Sequence, residues 1–342
     1  MVLQWSTDDL VDLTGVGDAV EVLDRKIEGG PGARLRDLRT RGADFRREFA
    51  GTGVPLRVDT CDLVTLPYPT RFGLFRASRA IAPFLSITNR MLVIRWNDSD
   101  GRPRVLLFEP SDVKLGRNTP YFAELARRTP APIIKRMVVE HGTVLDHLAH
   151  LRITPDEVDY IVFDHLHTQD LRRWVGTTAY QPDLGERPAP TFPNAKVIVQ
   201  RDELTAMSDL HPLQTPWYQP QTYRDIPVDA FAPIDGSVVL GPGVAVIKTP
   251  GHVFGNQSLA LNTSTGIWVS SETSSPPNVS HRNTPGCRAW PAGRPPGSRR
   301  SCSTPTRSKP RPTNTTRSSW RSRSSTAARP TPASCSSSPP AS

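Results

Sequence analysis

The chain has 342 residues, room for one large domain or two ordinary ones, and a formal net charge of +9. That charge is concentrated in residues 276–342, which hold 11 Arg, 1 Lys and no acidic residue; taking those twelve from the 42 basic residues leaves 30 against 33 acidic ones, a net of −3 for the body. A mildly acidic body excludes the electrostatic footprint of a nucleic-acid-binding domain, and a tail without Leu, Ile, Phe, Tyr or Met cannot bury a core.

Residues 1–50 are charged and helix-prone, and read as a helical N-terminal extension. From residue 51 short β-like runs begin. Leu56–Leu66 alternates with β-branched residues, and Met91–Trp96 and Arg104–Phe108 flank Asn97–Pro103, whose Asp-Gly is a hairpin signal. Helices are expected near Pro120–Arg128 and over Gly142–Leu151, where apolar residues recur at spacings of three and four. Val158–Phe163 is a continuous apolar strand, expected to be covered on both faces. Lys196–Val199 is a further strand with a helix from Asp202. Val244–Lys248, Gln257–Asn262 and Gly266–Ser270 follow, the last two joined by a Thr-Ser-Thr-Gly turn. The pattern is that of a mixed α/β domain over residues 51–275, without an internal repeat.

Only Cys61 of the four cysteines lies in this body, so there is neither a disulfide framework nor a Cys-based zinc site; Cys61 reads as a small core residue. MVLQWSTDDL has no basic n-region or apolar h-region, and no run of about 18 apolar residues occurs. The expected setting is soluble, reducing and cytoplasmic, with no membrane partner and an open oligomeric state.

Two segments carry chemistry. The first, Phe163-Asp164-His165-Leu166-His167-Thr168-Gln169-Asp170, directly follows the apolar strand. Residues i and i+2 of an extended segment point to one side, so His165 and His167 can present two imidazoles to one point. The second, Thr249-Pro250-Gly251-His252-Val253-Phe254-Gly255-Asn256, also follows an apolar strand and exposes His252 in a glycine-framed turn. A third imidazole from a second loop completes the open three-histidine arrangement of catalytic zinc. The competing reading for each is a surface turn with solvated histidines. His141, His147 and His150 flank or lie in a predicted helix and read as surface or packing residues. His211 sits in a Pro-rich loop that could border the site. Gly15–Gly17 and Gly29–Gly32 do not follow a strand, which argues against phosphate binding.

Together these segments resemble the metallo-β-lactamase-fold hydrolases over roughly residues 56–275. That resemblance implies a four-layer αββα sandwich and a metal-dependent hydrolase acting on a small molecule such as a lactone, thioester, β-lactam or phosphoester. It matches His165, His167 and His252 to three metal histidines and Glu272 to a further acidic ligand. Gln169 stands where the family has Asp, and Asp170 where it has a second His, so one zinc is expected and a second site is altered. Asp170 could ligate metal, act as general base or cap the following helix. The alternative is a non-catalytic binding or regulatory protein on the same fold, or an inactive truncated product.

The 276–342 tail has two readings. It is a disordered basic Ser/Pro/Arg arm, or the product of a frameshift near Ser271–Pro277. Shifting the codon frame over Cys302–Arg317 permits a hydrophobic start with a polar, acidic, helix-compatible continuation. The frameshift is the preferred reading, and with it the fold is incomplete at the C-terminus.

Overall fold

A computed structural model describes residues 16–70, 83–129, 137–219 and 221–271, together with positions 132, 134 and 336–337. The expected 276–342 tail lies outside these residues, apart from Ser336–Ser337. So do Glu272 and the frameshift reading.

The described strands form two sheets. The first orders β1 (Asp18–Ala19), β9 (Val238–Gly241), β10 (Val244–Lys248), β11 (Gln257–Thr263) and β12 (Gly266–Ser270), all antiparallel. The second runs β13 (Ser336–Ser337), β2 (Arg57–Pro69), β3 (Phe84–Asn97), β4 (Pro103–Phe108), β6 (Tyr160–Val162), β7 (Lys196–Gln200), β8 (Phe231–Ile234), with β5 (Val139–Glu140) against β2. The steps β4–β6, β6–β7 and β7–β8 are parallel, so the carboxyl ends of these strands open on one edge. The helices used below are α1 (Glu21–Asp24), α2 (Pro31–Ala50), α3 (Val113–Gly116), α4 (Pro120–Arg128), α5 (Val144–Leu151), α6 (Arg172–Val175), α7 (Arg201–Ser208) and α8 (Gln221–Arg224).

The period-2 alternation of strand side chains sorts the apolar residues into three cores. Ile94, Trp96, Leu106, Phe108, Val162 and Ile198 face Val244, Val246, Leu259 and Leu261 between the sheets. Their sequence neighbours Val93, Leu107, Ile161 and Val197 point the other way, onto Val144 and Leu148 of α5 and Leu204 and Met207 of α7. Ala245 and Ala260, on the far face of the first sheet, pack on Phe45 and Phe49 of α2. Three cores between successive layers make an αββα sandwich, the architecture implied by the sequence. They also explain the unbroken apolar runs: strands covered on both faces need no polar alternation. Each fully buried Val, Leu or Phe contributes about 1.5–3 kcal/mol. Cys61 is buried in the core, as expected of a small apolar residue.

The α2 segment, read from the sequence as part of an extension, supplies the outer helical layer, and β1 pairs with β9. The expected Asp-Gly turn is present between β3 and β4: Gly101 has φ +77, and Asp98 accepts the backbone N–H groups of Asp100 and Arg102. The strand expected over Val158–Phe163 shortens to Tyr160–Val162. At its start Val158 closes the turn Pro155–Glu157, and past its end the chain leaves the sheet to form the histidine loop. No helix among the described residues is long and apolar enough to cross a membrane.

Candidate metal centre

The histidine loop leaves the carboxyl end of β6 at the centre of the parallel strands. Glu109, at the end of β4, accepts the Asp164 N–H at 2.7 Å. From the other sheet, Gln257 at the start of β11 donates its amide to the carbonyls of Phe163 and Ile198, at 2.8 and 3.1 Å, and its backbone N–H to Asp164 at 2.8 Å. One buried amide therefore ties the β10–β11 turn to the ends of β6 and β7. The turn itself is closed by Thr249 N–H donating to Asn256, and by Asn256 Nδ2 donating to the Thr249 carbonyl and hydroxyl. Gly255 runs so close to α7 that a Cβ there would overlap the backbone and Cβ of Glu203. The glycine read from the sequence as a turn former is thus required by close approach.

These ties bring His165, His167 and His252 together, with one ring nitrogen of each within 4.8 Å of the others. Ring centroids are 4.5, 4.8 and 4.9 Å apart, and the planes are nearly perpendicular. His165 Nδ1 donates to Asp164 Oδ1 at 2.7 Å, which leaves Nε2 as its lone-pair nitrogen. His167 Nε2 donates to Gln214 Oε1 at 2.6 Å, which leaves Nδ1. The amide orientation of Gln214 is consistent with this, because its Nε2 donates to the His252 carbonyl at 3.5 Å. His252 Nε2 lies 3.1 Å from His167 Nδ1, so the two nitrogens aim at one point.

Burial, and then the neighbouring His165 and His252, push His167 down to about 2, while burial and His165 push His252 down to about 4. Both are neutral at pH 7, the form that binds a metal. Three convergent imidazoles, two of them held neutral and two with the second nitrogen pinned by an acceptor, suit a borderline cation such as zinc.

Asp170 is arranged differently. Its carboxylate accepts the N–H, Nε and Nη2 of Arg172 at 3.1, 3.1 and 2.8 Å. Arg172 is fully buried and also donates to Asp183, at 2.7 and 2.8 Å, and to Gln181 at 3.1 Å. Burial alone would lower the guanidinium pKa, but the two carboxylates outweigh it and the group is held charged. Asp170 is not among the groups that converge with the histidines. The ion pair with Arg172 was not among the roles expected for it; of those roles, only the helix-capping one has a contact, the Arg172 N–H at the first residue of α6. Gln169, also buried, approaches Glu109 at 3.4 Å. His211 is exposed and accepts the Leu213 N–H, outside the cluster. His141 and His147 are tied to Thr65 and the Asp62 carbonyl.

Sequence reasoning missed Asp164, Gln214, Glu203 and Tyr218. Asp164 carried a usable signal, an acid at the end of an apolar strand and beside a candidate ligand. Gln214 and Tyr218 carried none, since they come from a Pro-rich stretch whose path over the site is set by tertiary packing.

No family model matches the chain. Among solved structures, the chain is similar to a mutant of B. thuringiensis AiiA with N-decanoyl-L-homoserine bound at its active site, at 17% identity and TM-score 0.42 over 64% of this chain and 75% of that one. It is similar to a probable metal-dependent hydrolase from Staphylococcus aureus at 14% identity and TM-score 0.42, over 64% and 73%. It is also similar to a quorum-quenching N-acyl homoserine lactone lactonase at 18% identity and TM-score 0.39, over 63% and 72%. The chain's own layers and strand ends carry the fold assignment: a four-layer αββα sandwich, with a histidine cluster where the loops of both sheets meet.

Proposed function

We propose that this chain is a metal-dependent hydrolase of small molecules, with one zinc held by His165 Nε2, His167 Nδ1 and His252 Nε2. The observation that supports this reading is the convergence of three imidazoles, two buried and one half-buried, from loops of two sheets, on one point. When bound, zinc at a three-imidazole site supplies Lewis acidity toward a carbonyl or phosphoryl oxygen and brings a water into its acidic working range. Asp164 fixes the tautomer and orientation of His165, and Gln214 does the same for His167 while holding the His252 backbone. Burial keeps His167 and His252 neutral. Asp170 enters as the buried anchor of Arg172, and Glu272 as a candidate fourth ligand. The substrate is a lactone, thioester, β-lactam or phosphoester.

The test is metal content by mass spectrometry, joined to hydrolysis of a panel of those four substrate classes. The reading expects about one zinc per chain, and hydrolysis that a chelator abolishes and zinc restores. A zinc-grown protein that carries no metal, or hydrolysis indifferent to the chelator, overturns it.

A further inference from the structure

We infer that Glu203 is a positioning residue that holds the two histidine loops in register for the metal, an inference that rests on the metal-site reading above. Glu203 lies in the first turn of α7, where an acidic side chain is ordinarily solvated, yet it is fully buried. Burying a carboxyl group away from water costs free energy unless its contacts offset it. Its contacts all lead to the site. Oε1 accepts the Leu166 N–H at 2.9 Å, and Leu166 is the residue between the two histidines of the first loop. The same oxygen accepts the Tyr218 hydroxyl at 2.7 Å, and the Tyr218 ring stands edge-on to His167 with centroids 4.7 Å apart. The Cβ and backbone of Glu203 are the surface against which Gly255 of the His252 turn is seated. One residue thus touches the His165–His167 loop, the wall behind His167 and the His252 turn. Its Oε2 makes no hydrogen bond. All the polar work is done by one acceptor oxygen, which a glutamine carbonyl can replace.

The experiment titrates the metal-free full chain with cobalt(II), reading affinity and the visible absorption band, with folding followed by circular dichroism. Glu203→Gln is expected to keep both affinity and band. Glu203→Ala is expected to weaken cobalt binding by about 10–100-fold, the scale for losing an outer partner of a metal site, and to change the band. A folded Glu203→Ala with wild-type affinity and band overturns the inference, and so does a Glu203→Gln as impaired as Glu203→Ala. Should Glu203→Ala fail to fold, Tyr218→Phe decides: it removes one of the two donors and is expected to weaken binding several-fold, and unchanged affinity overturns the inference. His167→Ala is the control. If the wild type gives no band, or His167→Ala gives the same one, the metal reading itself fails, a result separable from failure of Glu203 alone.

Discussion

Two buried polar clusters grow from the same loop. Around Arg172 the protein answers itself: three guanidinium nitrogens meet two carboxylates and an amide, and no further partner is needed. Around His165, His167 and His252 the outward ring nitrogens of the first two are satisfied, while the inward nitrogens of all three face one another. The first cluster is closed and stabilises the loop. The second draws three ring nitrogens together at its centre, an arrangement that suits a shared cation. Burial is common to both, so burial alone does not mark a site; what marks it is donors aimed at a shared point with their other ends pinned.

The largest expected effect breaks the histidine cluster. His167→Ala should take zinc from about one per chain to none, read by mass spectrometry; unchanged stoichiometry removes the histidines from the proposal. Next comes the closed cluster. Arg172→Met leaves Asp170 buried and unpaired, and should cost about 3–5 kcal/mol in urea unfolding. Folded protein of this variant should still carry zinc. Zinc loss in proportion would show that the two clusters are one unit. A smaller effect is expected for Asp170→Asn, which keeps the shape but weakens the pairing, by about 1–3 kcal/mol. Zinc and hydrolysis should both survive; a rate drop of about a hundred-fold at full zinc would restore Asp170 as a general base.

A further test sharpens the contrast by pH. His167 and His252 have folded pKa values of about 2 and about 4, below the ordinary 6.5. Below pH 6.5 the unfolded chain therefore binds more protons than the folded one. The stability contributed by neutral burial is fully present above that pH and is lost as pH falls toward those values. Thermal midpoints of the metal-free chain should drop between pH 7 and 5, less steeply in His167→Ala. Equal slopes would show that the rings are not buried neutral in solution.

Much of the sandwich was legible because its strands are dense in β-branched residues and bounded by turn formers. Val244–Lys248 and Gly266–Ser270 match the expected runs residue for residue, and so does the helix Pro120–Arg128. Phe231–Ile234 was not legible: Pro233 argues against a strand, and it fits only because β8 lies at the sheet edge. The three histidines were legible because His-x-His and Pro-Gly-His are local patterns after strands. The pairing of Arg172 with Asp183, and the reach of Glu203 to Leu166, were not. They depend on where loops cross in space, and no local spacing encodes that.

Gln257 has a consequence for how the protein assembles. His167 and His252 are 85 residues apart, and they meet only when the turn before Gln257 docks on the ends of β6 and β7. Such a long-range contact belongs to the slow, late part of folding, after each sheet has gained its local hairpins. The histidine cluster is therefore a clock for sheet docking: a chain halted with separate sheets would hold its histidines on two different pieces, with no common point for an ion. Cobalt absorption during refolding would time the closing of the sandwich itself.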